Sequence, residues 1–289
     1  MMKKPKSILS GILGATVISA GALHGQSDVL MLVSDGHSSE QNVRDFGAWI
    51  ESESGGQYSL SFSADFEEDV NVLDSAESLN EDQMNLLNSF DLIIGPRLGA
   101  GAASNYGSTD WNDVTTPILG MDANVGRSDE GWGWFSTTWT GNVEIDSVDV
   151  EDPTSPVFDG VDTSADSVTV LTSATGIRTP PMDPTLFNGT VVARMSNEEQ
   201  GLDRAGIVMW DGTESAFFDG GTESPAARRT LFSSTTFTID DSRWTEDGQQ
   251  MFMNAVGSTI PEPGTYALFA GFGALGGVLL LRRMRRRKE

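Results

Sequence analysis

Two uncharged apolar segments, one near each end, confine the globular part of this chain to the residues between them. Lys3, Lys4 and Lys6 precede an apolar run over 8–22 that closes on Ala20, Gly21 and Ala22. A basic start, an apolar middle of this length and small exit residues make a secretory signal peptide. Cleavage is expected after Ala22, with a site near Gly25 or Gln26 as the alternative. At the other end, the 18 residues 264–281 carry no charge. As a helix rising ~1.5 Å per residue they would span about 27 Å, near the lower limit for a hydrocarbon core of about 30 Å. Pro261 and Pro263 break any helix arriving from the preceding domain. Arg282, Arg283, Arg285, Arg286, Arg287 and Lys288 follow the apolar stretch, and such a cluster is held on the cytoplasmic side. The expected organisation is a signal peptide over 1–22, an exported domain over 23–257, a linker over 258–263, a transmembrane helix over 264–281 and a basic cytoplasmic tail over 282–289.

The tail closely resembles the PEP-CTERM sorting signal, the bacterial C-terminal tag recognised by exosortases. Pro261, Glu262, Pro263 and Gly264 carry the motif. The apolar stretch with Gly271, Gly273, Gly276 and Gly277 and the terminal arginine cluster complete it in order. The resemblance implies processing by a membrane protease-transferase near the motif, after which the domain is released or re-attached at the cell surface. An ordinary single-pass anchor with a chance Pro-Glu-Pro is the competing reading.

Composition separates the domain from its ends. Nine of the 18 Lys and Arg residues lie in the terminal segments. Residues 23–260 therefore hold nine arginines against 40 acids, a net charge of about −31. Such a field repels nucleic acid and anionic lipid, so nucleic-acid binding is excluded. No cysteine is present, so disulfides, thiol nucleophiles and thiolate metal sites are excluded, and a core must hold the domain together. Only His24 and His37 could supply an imidazole.

The apolar run over 28–34 reads as a strand buried on both faces, as in a parallel sheet. A helix is expected over 38–50, a strand over 58–62, a helix over 79–90, and strands over 90–95 and 117–122. This alternation predicts βαβ units. The second half is richer in strands, expected over 142–150, 167–172, 189–195, 205–210 and 229–233. A closing helix over 244–256 is expected to stop at Gly257.

This order resembles the flavodoxin-like sheet of the class I glutamine amidotransferase-like group, including its trehalose-utilisation (ThuA-like) relatives. The supporting stretches are 29–35, 91–96, 116–120, 155–161, 191–194, 205–209 and 244–248. The resemblance implies a mostly parallel sheet with flanking helices. Active members place a cysteine on the turn after the third sheet strand and use a distant His–Glu pair. Here that turn reads Gly95, Pro96, Arg97, Leu98, Gly99, and no histidine follows position 37. A cysteine amidotransferase mechanism is excluded, and the fold by itself specifies no function.

Four constellations remain. Asp35, His37 and Glu40 follow the first strand, at the carboxyl edge where open α/β sheets bind ligands. They would hold a divalent metal or use His37 as a base towards Ser38 or Ser39, or they form a polar loop capping the next helix. The glycine-rich stretch 98–104 would offer backbone N–H groups to an anion or present Ser104, or is a plain loop. Trp132 and Trp134, with Trp139 nearby, would stack on sugar rings or pack a core. The acids between Asp146 and Asp166 would hold calcium or stay solvated. The expected function is a non-enzymatic, exported cell-surface or extracellular-matrix protein without a cofactor. Its expected partners are the secretion machinery, signal peptidase, an exosortase, the membrane and exopolysaccharide. The alternatives are a glycan- or calcium-binding module and a hydrolase using the Asp35, His37 and Glu40 loop.

Overall fold

The computed structural model describes residues 26–33, 40–66, 78–96, 109–128, 131–137, 141–183, 185–197, 201–234 and 243–260. Chain order among them is β1 (Ser27–Met31), α1 (Glu40–Glu53), β2 (Tyr58–Phe62), α2 (Glu81–Leu87), β3 (Leu92–Gly95) and β4 (Ile118–Gly120). Then come β5 (Gly141–Ile145), β6 (Ser147–Val150), β7 (Ser167–Thr169), β8 (Thr175–Thr179), β9 (Thr190–Asn197), β10 (Leu202–Trp210), β11 (Arg229–Phe232) and α3 (Glu246–Thr259).

Nine strands form one large sheet in the order β2-β1-β3-β4-β11-β10-β9-β6-β7. It is parallel from β2 through β11 and antiparallel beyond. β5 and β8 pair apart as an antiparallel ribbon. The fold is thus mixed α/β, with four of the five parallel strands in the first half, as the sequence pattern predicts, and the fifth, β11, arriving late in the chain.

The continuous apolar run of β1 has a direct cause. Val29, Met31 and Val33 enter one core cluster, while Leu30 and Leu32 enter the other. Both faces of the strand are covered, so no polar alternation survives. On the first face, α1 contributes Val43, Phe46 and Ile50, and α3 contributes Met251, Phe252, Ala255 and Val256. This spacing of about one turn makes a single apolar stripe on each helix. On the second face α2 supplies Leu87, and most of the cover is aromatic: Trp111, Trp132, Trp134, Phe135, Trp210 and Phe217. α2 starts at a capping box in which Asn80 and Gln83 bond each other's backbone N–H at 2.9 Å.

Arg229 is completely buried in β11 and pairs with no carboxylate among the described residues. Its guanidinium donates instead to the carbonyls of Trp111, Asn112, Val114, Thr116 and Arg228 at 2.6–3.2 Å. It ties the loop before β4 to the last parallel strand. Burial pushes the guanidinium down to about 9, which leaves it charged at neutral pH.

Three expectations are corrected. The strand expected over 142–150 is two strands in different sheets. The chain turns at Asp146, whose carbonyl accepts the N–H groups of Val170 and Leu171 at 2.7 and 2.9 Å. Gly257 does not stop the closing helix, which runs on through Ser258 and Thr259, residues assigned to the linker. Thr259 Oγ1 holds that last turn by donating to the Ala255 carbonyl at 2.6 Å, and it meets Thr230 Oγ1 at 2.9 Å. The third difference is β8, which had no counterpart in the sequence reading. Among the described residues no helix is long and apolar enough to cross a membrane. The span expected over 264–281, the motif at Pro261–Gly264, the basic cluster and the signal over 1–22 lie outside the described residues.

Candidate functional site

The strand order reverses at β1, which has β2 on one side and β3 on the other. In open α/β sheets the carboxyl ends of the strands at such a switch point border the ligand crevice. Here those ends are Val33 and Gly95. The segments that leave them carry the Asp35 and His37 candidates and Arg97 with the glycine-rich stretch, all outside the described residues.

Glu40 is described, and it opens α1 beside the switch point. Its carboxylate accepts from Arg44 Nε at 2.8 Å, one turn further along the helix. Arg44 also forks onto both carboxylate oxygens of Asp65, just beyond β2, and its guanidinium lies 4.7 Å above the centre of the Phe62 ring. Donating to Asp65 and Glu40 pushes the Arg44 guanidinium above its ordinary value, and accepting from Arg44 holds Asp65 below the usual carboxylate range. Next to this clamp, the buried Ser63 hydroxyl accepts the Val33 N–H at 2.9 Å. Arg44 and Ser63 thus fix the start of α1 and the end of β1 against the end of β2. Glu40, one of the three grouped acid–imidazole candidates, already neutralises a cation. The clamp was not foreseen, although Glu40 and Arg44 stand at the i,i+4 spacing that signals a helical ion pair.

At β4 and β11 the carboxyl edge is polar and closed. Buried Asp122 accepts the Asn124 N–H at 2.9 Å and so caps the short turn 123–126. Ser233 and Ser234, which continue β11, are buried, and neither hydroxyl has a hydrogen-bond partner among the described residues. They border a small apolar cavity with Phe232, Trp244, Met195 and Met251. Its space of about 10 Å³ is far too small for an organic ligand.

Trp132 and Trp134 are corrected as ligand candidates. Both are fully buried. Trp132 stacks on Trp111 at 5.0 Å, and Trp134 packs against Trp210 and Phe217 at 5.6 and 6.1 Å. Neither offers a ring face to a sugar. Asn112 ties them into the fold by donating to the Trp132 carbonyl at 2.7 Å and accepting from Trp134 Nε1 at 3.3 Å.

The acids over 146–166 do not gather around a cation site. Asp149 and Glu151 converge with Asp203 on Arg194, whose Nε lies 3.8, 3.0 and 3.5 Å from them. Asp152 and Asp162 accept the N–H groups two residues on, at 3.0 Å each, as loop-closing turns. Among the described residues no group of three or more His, Asp or Glu side chains is placed to hold a metal ion.

No family model matches the chain, and no curated protein matches it. Solved structures do. A ThuA-like protein from Bacteroides uniformis aligns with a TM-score of 0.51 at 11% identity, covering 84% of this chain and 95% of that one. The glutaminase domain of Trypanosoma brucei CTPS, solved with acivicin bound, aligns with a TM-score of 0.39 at 10% identity, over 80% of this chain and 94% of that one. The first likeness shows the fold and nothing more: the sheet is laid out like that of the ThuA-like structure.

Proposed function

We propose that the chain is an exported cell-surface or extracellular-matrix protein, not itself an enzyme, delivered through a PEP-CTERM signal as the substrate of an exosortase. One observation carries the reading. Pro261, Glu262 and Pro263, an uncharged stretch of membrane-spanning length and six cations follow one another immediately after the last helix of the domain. The N-terminal signal pattern and the acidic, cysteine-free domain between the two ends support export. The proposed partners are signal peptidase, the secretion machinery and the exosortase, with exopolysaccharide as the neighbour at the surface. The test replaces Pro261, Glu262 and Pro263 together by alanine in a host that carries an exosortase. The variant should accumulate as an unprocessed membrane form. Release at the wild-type rate would rule the signal out.

Topology favours one second reading, a ligand or hydrolytic site at the switch point using Asp35, His37 and Glu40. It requires that His37→Ala abolish a measurable hydrolysis or divalent-metal affinity. Equal behaviour of variant and parent would remove it.

A further inference from the structure

Both ends of the domain leave it at the same edge of the sheet. The chain enters at Ser27, the first residue of β1, whose N–H donates to the Gln57 carbonyl at 2.8 Å. Gln26 reaches the carbonyl of Tyr58, the first residue of β2, at 3.1 Å. At the other end, α3 runs back to the start of the parallel strands. A Cβ on Gly257 would lie 3.5 Å from the Tyr58 hydroxyl, Arg228 donates to the Ser258 carbonyl, and Thr259 meets Thr230 near the beginning of β11. Tyr58 thus touches residues next to both exits.

The C-terminal exit has almost no slack. The helix persists to Thr259, so only residues 260–263 separate it from the uncharged stretch that begins at Gly264. Four residues reach at most about 14 Å when fully extended. A tether that short cannot pass around the sheet, whose five-residue strands β1 and β2 are each about 17 Å long.

We propose that, while the tail is in the membrane, the amino edge of the parallel strands faces the bilayer and the carboxyl edge, with the β1–β3 switch point, faces outward. This rests on the reading of 264–281 as a membrane span. The orientation places the cut site against the membrane-bound processing enzyme and presents the opposite edge to extracellular partners.

The absence of cysteine makes the test clean. Gln57→Cys and Ala64→Cys place single thiols at exposed positions before and after β2, about 20 Å apart at ~3.3 Å per strand residue. The full chain with its tail is reconstituted into neutral phosphatidylcholine vesicles, and each thiol carries a donor dye read against an acceptor on the lipid headgroups. At least about twofold more energy transfer is expected at position 57 than at 64, because of that separation. Equal or reversed transfer in protein that floats with the vesicles overturns the orientation and leaves the membrane span standing. Failure to float overturns the span, and the orientation with it. If either variant does not fold, Ser89→Cys at the amino edge and Glu40→Cys at the carboxyl edge make the same comparison.

Discussion

Replacing Arg229 by methionine tests how the two halves of the parallel sheet are held. The change keeps the length of the side chain and removes every donor. Of the five carbonyls that Arg229 bonds, that of Asn112 also accepts from Ala226 and that of Arg228 from Ile118, both at 3.0 Å. The carbonyls of Trp111, Val114 and Thr116 lose this donor inside the protein. Each buried acceptor left without its donor costs about 1–3 kcal/mol. Burying methionine instead of an unpaired cation returns part of that, because the guanidinium pays a desolvation penalty that no carboxylate offsets. The expected net loss is about 3–5 kcal/mol, a large share of the roughly 5–15 kcal/mol that holds a domain together. Urea unfolding of a chain ending at Ile260 reads it as a lower midpoint with unchanged slope. Arg229→Lys, with one donor group in place of a fork, should fall between the two. A loss under about 1 kcal/mol for the methionine variant would show that the carbonyl cradle does not secure the loop before β4.

Other consequences follow from packing and charge. Trp134→Ala removes a ring wedged between Trp132, Trp210 and Phe217. It should cost about 3–5 kcal/mol in urea unfolding, and a smaller loss would mean that the ring is not core. Gly248→Ala would put a Cβ 2.3 Å from the Val170 carbonyl oxygen, a backbone atom that cannot swing aside. A fall of about 1–3 kcal/mol is expected, and a neutral result would contradict this close approach of α3 to the strand region. Arg44→Met should raise the Asp65 midpoint, followed by carboxyl NMR, back to the ordinary carboxylate value of 3.8. Because the folded value is lowered, the pair stabilises above that ordinary value and its contribution disappears as pH falls through the lowered one. The variant and parent stability curves should therefore differ by less than about 1 kcal/mol at neutral pH, since both groups are partly exposed, and converge in strong acid. An unmoved midpoint would remove the clamp.

The parts of the fold that declare themselves in sequence are those whose burial is regular. β1 and β3 read as buried strands because both faces are covered, and Val43, Phe46 and Ile50 mark α1 by their spacing. β8 is hidden because Ile177 is its only large apolar residue, with Thr, Gly and Arg around it. The break at Asp146 shows in the sequence only as a one-residue slip in phase, from Val143 and Ile145 to Val148 and Val150, which a bulge within one strand would also give. No periodicity tells a buried tryptophan from an exposed one in the irregular stretch around Gly131 and Gly133, so the Trp132 and Trp134 cluster needed the structure. Arg229 beside Arg228 looks like a surface pair, yet one side chain is a third exposed and the other lies in the core. The switch point follows from the strand order alone. The polar clamp of Glu40, Arg44 and Asp65 depends on a contact between two elements, which spacing along the chain reveals only for its helical half.

The delivery claim is tested most directly by the intact mass of the protein recovered outside the cells that make it. Processing at the motif predicts a chain beginning near His24 and ending within or next to Pro261, Glu262 and Pro263, with any attached group appearing as added mass at that new end. A recovered chain that still ends in the arginine cluster through Glu289 would contradict it.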